Sequence, residues 1–390
     1  MCLATCAAAQ QEPADDTRTQ YPAFLIDSYF AVNVGRMGNL FSEDQLQPGF
    51  QAGSVDIPRL AVRVDLLGHH FSKHVSAQIT YMRPARFVTY HDLNGDAASS
   101  YQVSTAFAGL TLVGDVPLNA RVSAYGEGGL GITSRSGVAI KTTTVIESAH
   151  YAAGLLGAGL AFHATPSTDF LLGATYSPGR KSFSQPSTRL FTAGIRYQMR
   201  PLPDAEVEDN RLAGFAFPEN VVRLGYSTNL PGYGVNNFFS GPVPIFWGGN
   251  VETMSGYTLD YQRNVFHTRK WFAFDLGASA SYWTSNGNQE IFRTLSVYPL
   301  FRFFLIRTRP ADLYFGYSLA GPTFLTRTVI DGRDTGERFT FQDFIGVGAF
   351  LGKARRLNAE IGIKHFSNGN IFTTNASIKI PLTLTLGLTF

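Results

Sequence analysis

Ile378-Lys-Ile-Pro-Leu-Thr-Leu-Thr-Leu-Gly-Leu-Thr-Phe390 ends the chain and alternates aliphatic with small side chains. Ile378, Ile380, Leu382, Leu384, Leu386, Leu388 and Phe390 fall on one face at period two, and Thr383, Thr385, Gly387 and Thr389 fall on the other. Successive side chains of a strand point to opposite faces, so this stretch reads as a β-strand with one greasy side. The same alternation recurs in sixteen segments. The first eight centre on 23–37, 59–70, 75–90, 101–116, 120–134, 149–163, 168–177 and 189–199. The second eight centre on 220–230, 252–265, 271–284, 290–306, 312–327, 338–352, 357–371 and 376–390.

The connections between these segments sort by length. Those after even-numbered strands are short: Ser72–His74, Pro117–Asn119, Thr165–Ser167, His267–Arg269, Thr308–Pro310 and Lys353–Arg356. Those after odd strands are mostly long, as at Asn39–Ile57, Pro231–Gly249 and Thr328–Glu337. Short turns at one rim and long loops at the other mark a transmembrane antiparallel β-barrel of the outer-membrane type, with the short turns periplasmic. Composition agrees. The 390 residues are 44% hydrophobic and only 16% charged, yet no apolar run is long enough for a helical crossing. The net charge of +3 gives no case for nucleic acid.

Pro201-Leu-Pro-Asp-Ala-Glu-Val-Glu-Asp-Asn210 is acidic and too long for a periplasmic turn. It divides the chain into a barrel over 20–200, an acidic linker over 201–218 and a second barrel over 219–390. The halves also resemble each other around Val64-Asp65 … His69-His70-Phe71-Ser72-Lys73 and Leu259-Asp260 … Phe266-His267-Thr268-Arg269-Lys270. Two tandem eight-stranded barrels are therefore expected, with one sixteen-stranded barrel as the alternative. Cys2 and Cys6 leave no disulfide frame and no cysteine metal site. Ala7-Ala8-Ala9 fits a signal cleavage site, so residues 1–9 read as residual signal peptide and the mature chain as starting near Gln10. A lipoprotein signal at Cys6 is the poorer reading, because Thr5 is bulky for it.

In Leu357-Asn-Ala-Glu-Ile-Gly-Ile-Lys-His-Phe-Ser-Asn-Gly-Asn370, the odd residues Leu357, Ala359, Ile361 and Ile363 face lipid. His365 and Ser367 continue that row. At the usual strand rise and tilt they stand about 20 and 25 Å above the periplasmic rim, near the outer interface. The preceding strand carries Phe339, Phe341, Asp343, Ile345, Val347, Ala349 and Leu351 on its lipid face, again with one polar member. If Leu351 pairs with Leu357, Asp343 stands opposite His365; a slip of two puts it opposite Ser367. A serine nucleophile needs a base, and the base an orienting partner. Asp343, His365 and Ser367 supply those types.

His365-Phe-Ser-Asn368, late on the penultimate strand of an eight-stranded barrel with a C-terminal aromatic, resembles the PagL-type lipid A 3-O-deacylases and related acyloxyacyl hydrolases. The resemblance covers about 219–390. It implies an outer-membrane serine esterase of a Gram-negative bacterium with its site on the outside of the barrel. By it Ser367 is the nucleophile and His365 the general base, while Asn368 and backbone N–H groups at Gly369 and Asn370 form the oxyanion hole. It also implies no cofactor and no metal, lipid A or a similar outer-leaflet glycolipid as substrate, and barrel assembly machinery reading the strand that ends at Phe390. The family's acidic residue on the final strand is missing: Asn375-Ala-Ser-Ile-Lys-Ile380 holds no carboxylate. The glycine expected at position 370 is asparagine. Either Asp343 or Asn375 then orients His365, or the chain is a weakened or inactive member.

Other candidates read differently. His69, His70 and His74 crowd a periplasmic turn, where a metal is the rival to plain structure. His70-Phe71-Ser72 lies at the wrong rim for outer-leaflet lipid. Gly173-Ala-Thr-Tyr-Ser-Pro-Gly179, the first-barrel counterpart of the His365 strand, has no histidine, so that half is expected to be non-catalytic. Arg327, Arg333 and Arg338 could meet lipid phosphates. Glu360 and Lys364 face the lumen as structural charges. The rival functional class is a non-enzymatic barrel with a structural, adhesive or small-solute role.

Overall fold

The computed structural model describes residues 17–95, 99–212, 214–240 and 248–390. The signal peptide expected at 1–9, Cys2, Cys6 and the start near Gln10 lie outside them. The chain closes into two separate eight-stranded antiparallel barrels rather than one sixteen-stranded pore. The first comprises β1 (Ser28–Asn39), β2 (Leu60–Ser72), β3 (Val75–Pro84), β4 (Thr105–Pro117), β5 (Val122–Arg135), β6 (Ala149–Thr165), β7 (Thr168–Ser177) and β8 (Thr188–Met199). The second comprises β9 (Asn220–Thr228), β10 (Val251–His267), β11 (Phe272–Ser285), β12 (Ile291–Arg307), β13 (Ala311–Leu325), β14 (Phe339–Leu351), β15 (Leu357–Ser367) and β16 (Ile378–Thr389). Each barrel closes by pairing its first strand with its last, β1 with β8 and β9 with β16. Closure removes the free edges that an open sheet would expose to lipid.

Both barrels are turned inside out relative to a soluble protein. On β16, Leu384, Leu386 and Leu388 are 52%, 59% and 61% exposed, while Thr383, Thr385 and Thr389 on the alternate row are buried in the lumen. In the first lumen Arg63 pairs with Asp65 at 3.1 Å and with Glu127 at 2.5 Å, and Arg196 pairs with Asp169 at 2.8 Å. In the second, Arg223 bridges Asp260 at 2.8 Å and Glu360 at 2.6 Å, Tyr314 donates to Glu360 at 2.9 Å, and Arg302 pairs with Asp275. Such small barrels are filled by side chains. Glu360 takes hydrogen bonds from Arg223 and Tyr314, and Lys364 is buried in the same lumen.

Three departures from the sequence pattern bear on the second barrel. The linker contains a helix, α1 (Asp204–Arg211), whose Asn210 accepts from the N–H of Arg269 at 2.8 Å. It is followed by Phe217, which is buried in the periplasmic mouth of the second barrel and stacks on His267 at 3.9 Å. The β15 strand ends at Ser367 rather than running to 371, so Asn368 to Asn370 lie in a loop. The third departure is on β16. Its register against β15 shifts between Gly362 and Lys364, which places a bulge at Pro381. An extra residue reverses which face each side chain takes. Ile378 and Ile380 therefore turn into the lumen, packed with Trp283, Phe292 and Phe366, instead of sharing the lipid face of Leu384.

Candidate active site on the outer wall

The β14–β15 hairpin carries the site, and its turn fixes the register. Arg355 holds the carboxylate of Asp312 on the neighbouring strand with Nε at 2.7 Å and Nη2 at 2.9 Å. From Leu351 opposite Leu357, pairing runs without a shift to Phe341 opposite Ser367. Asp343 stands opposite His365 in that ladder. The imidazole Nδ1 lies 3.1 Å from Asp343 Oδ2. Both groups sit on the outer face, yet Asp343 is 6% exposed and His365 only 2%.

Two devices on neighbouring strands shape this outer face. The β13 strand bulges at Leu319–Ala320, where Ala320 takes a left-handed φ of 54°. The bulge turns the Ala320 N–H to Asp343 Oδ1 at 2.8 Å, so one carboxylate oxygen is tied to backbone and the other faces the imidazole. On the periplasmic side of the pair, outward Ile345 and Ile363 are nearly fully buried. They pack with Phe315, Tyr317, Leu382 and Phe239, the last from α2 (Gly234–Phe239) in the loop after β9. The dry surface beneath the pair strengthens any charge–dipole interaction within it.

The Pro381 bulge brings Lys379 to the outer face directly opposite His365, on the other side from Asp343. The Lys379 Nζ turns to Glu252 Oε1 and Asn237 Oδ1, each at 3.2 Å. An ammonium has donors only and cannot accept a proton from the imidazole. Pro381 is the signal in the sequence for this reversal, since proline within a strand marks an edge or a bulge. Neither Lys379 nor Ala320 stands out from alternation alone.

The Ser367 Oγ accepts from the Gly369 N–H and from Asn375 Nδ2, both at 3.1 Å. Asn375 also donates to Asn370 Oδ1 at 2.9 Å and accepts from the Asn368 N–H at 3.2 Å. Its amide thus engages the serine and the loop that follows. The Asn368 side-chain amide donates to the carbonyls of Thr335 and Thr374, at 3.0 and 2.8 Å, and its Oδ1 accepts from the Asn370 N–H at 3.0 Å. Residues 368–370 therefore form a small hydrogen-bonded cage around the serine.

The remaining sequence candidates go elsewhere. His69 Nδ1 meets Ser28 Oγ and His74 Nδ1 meets the Asp115 carbonyl, each at 3.1 Å, while the His70 ring lies tilted against Tyr29. Among the described residues no group of three His, Cys, Asp or Glu could hold a metal ion. Arg327 is tied to Glu290 and to the Val329 carbonyl, both at 2.9 Å; Arg333 and Arg338 are exposed.

Several solved structures similar to the chain are barrels that align with 44% of it. The outer-membrane enzyme PagL is 16% identical, with 44% of this chain and 99% of that one covered and a TM-score of 0.32. Neisserial surface protein A is 13% identical over 44% and 97%, with a TM-score of 0.30. The attachment invasion locus protein Ail of Yersinia pestis is 16% identical over 44% and 97%, with a TM-score of 0.27. No curated protein matches the chain. Residues 255–388, from early β10 to the end of β16, match the lipid A 3-O-deacylase (PagL) family.

Proposed function

We propose that the C-terminal barrel is a serine esterase that removes an ester-linked acyl chain from lipid A or a similar outer-leaflet glycolipid. The observation that carries it is the Asp343–His365 pair on the lipid-facing wall, with Ser367 two residues further along the same face. Those residues lie within the stretch that matches the deacylase family.

In this mechanism the Ser367 hydroxyl attacks the ester carbonyl carbon and passes its proton to His365. Asp343 accepts the Nδ1–H, fixes the tautomer and stabilises the imidazolium that forms. The tetrahedral oxyanion is held by donors of the 368–370 loop, which must release their internal bonds to reach it. Collapse breaks the bond to the sugar oxygen, which leaves with the proton returned by His365. Water then hydrolyses the acyl-serine by the same base. The outward position suits a substrate whose acyl chain never leaves the membrane. Because Lys379 cannot act as acceptor, the orienting role falls to Asp343, on the strand opposite to the family's usual acid.

The test is mass spectrometry of lipid A from Gram-negative cells expressing the full chain. Loss of one ester-linked acyl group with wild type, and its retention with Ser367→Ala, is the expected result. Identical lipid A from the two would rule out the hydrolase and leave the structural barrel.

A further inference from the structure

The loop that follows Ser367 does not end at the second barrel. The Gly369 carbonyl accepts from Tyr81 Oη of β3 at 2.5 Å, and the Ile371 carbonyl accepts from Ser134 Oγ of β5. Phe372 stacks on His150 of β6, with ring centroids 5.9 Å apart. Tyr81, Ser134 and His150 all belong to the outward rows of the first barrel, whose lumen rows are Gln78 and Thr80, Thr133 and Arg135, and Tyr151. Outward polar groups are expensive on a lipid-facing wall unless something satisfies them. Ser134 is 1% exposed and its outward neighbour Ala106 is 5% exposed, so the wall is covered here.

Resting on the hydrolase reading above, we propose that the first barrel is a positioning scaffold for the site in the second, acting through Tyr81 on the oxyanion loop. A trans peptide holds its C=O and the following N–H in one plane, pointing in opposite directions. Fixing the Gly369 carbonyl against Tyr81 therefore aims the Asn370 N–H away from the first barrel, toward Asn368 Oδ1. Gly369 and Asn370 both take left-handed φ values, 65° and 60°. Two consecutive residues in that region form a tight backbone bend that an external hold can keep in place. Ser134 and His150 secure the next turn of the same loop. The first barrel thus sets the geometry of the loop whose donors turn to the developing charge.

The test uses the full chain in lipid–detergent micelles, with lipopolysaccharide as substrate and heat-modifiable gel migration to verify closed barrels. Tyr81→Phe removes one hydroxyl and leaves the ring. Its kcat should fall on the order of 10-fold with KM within about twofold, because the lost alignment acts on the transition state. Ser134→Ala/His150→Ala should do the same. In both variants, hydrogen exchange of the 368–376 segment should quicken. If wild type hydrolyses lipopolysaccharide, Ser367→Ala does not, and Tyr81→Phe matches wild type in kcat and exchange, the scaffold role is wrong. If wild type is no more active than Ser367→Ala, the hydrolase itself falls; exchange unchanged in the Tyr81 and Ser134/His150 variants then overturns the hold on the loop as well.

Discussion

At His365 one imidazole stands between two opposed residues, Asp343 on β14 and Lys379 on β16. The carboxylate accepts and the ammonium cannot, so chemistry assigns the partner. Asp343→Asn keeps the shape and removes the charge. Ester hydrolysis by the full chain should drop about 10²- to 10⁴-fold, the range for a mis-oriented general base. Adding Lys379→Glu to that variant restores a carboxylate one strand away, where opposed Cβ atoms are about 5 Å apart, and should recover about 10-fold. A double variant no faster than Asp343→Asn would show the two flanks to be inequivalent. Ser367, His365 and Asp343 were legible because alternation exposes any polar interruption of a greasy row. Lys379 was not, because one bulge reverses the count.

At the level of elements, the β14–β15 hairpin is set by its periplasmic turn. Arg355 is buried against Asp312 and Arg307 shares the same carboxylate at 2.9 Å. Arg355→Ala leaves Asp312 with one partner and a loosened turn. It should lower stability by about 3 kcal/mol, measured as a shift of the urea midpoint in micelles. On the outer side, Asp331 joins the loop after β13 to the loop after β11. Burial would raise its carboxyl, but hydrogen bonds from Ser285 and the N–H groups of Asn288 and Gly287, with Arg333 nearby, hold it below the usual carboxylate range. A depressed folded value gives stability that is full above the unfolded carboxylate pKa of about 3.9 and lost as pH falls through the folded one. Protease nicking of these loops should rise only below about pH 4, and Asp331→Asn should flatten that dependence. Strand and turn positions were readable from alternation and turn length. The α1 helix was not, because acidic residues between prolines also suit an unstructured linker.

Across the whole molecule, two filled barrels stand where one pore was also conceivable. Arg223 in the second lumen holds both Asp260 and Glu360. Arg223→Met leaves two buried carboxylates without their cation and should cost about 3–5 kcal/mol, read from the urea midpoint of tryptophan fluorescence. Sequence by itself determined that this chain crosses a membrane by strands, because period-two alternation and segregated loop lengths are local properties that survive without knowing any contact. It also picked out the polar residues on the lipid face and placed Asp343 opposite His365 or, with a slip of two, Ser367; the structure settles it on His365. Only the tertiary structure decided the number of barrels, which depends on whether β8 returns to β1. Only it decided that Lys379 faces outward and that the loop after Ser367 rests on Tyr81 of the other half, 288 residues away in sequence. Closure, bulges and contacts between distant segments are set by how whole sheets curve and meet, and no window of alternating residues records that.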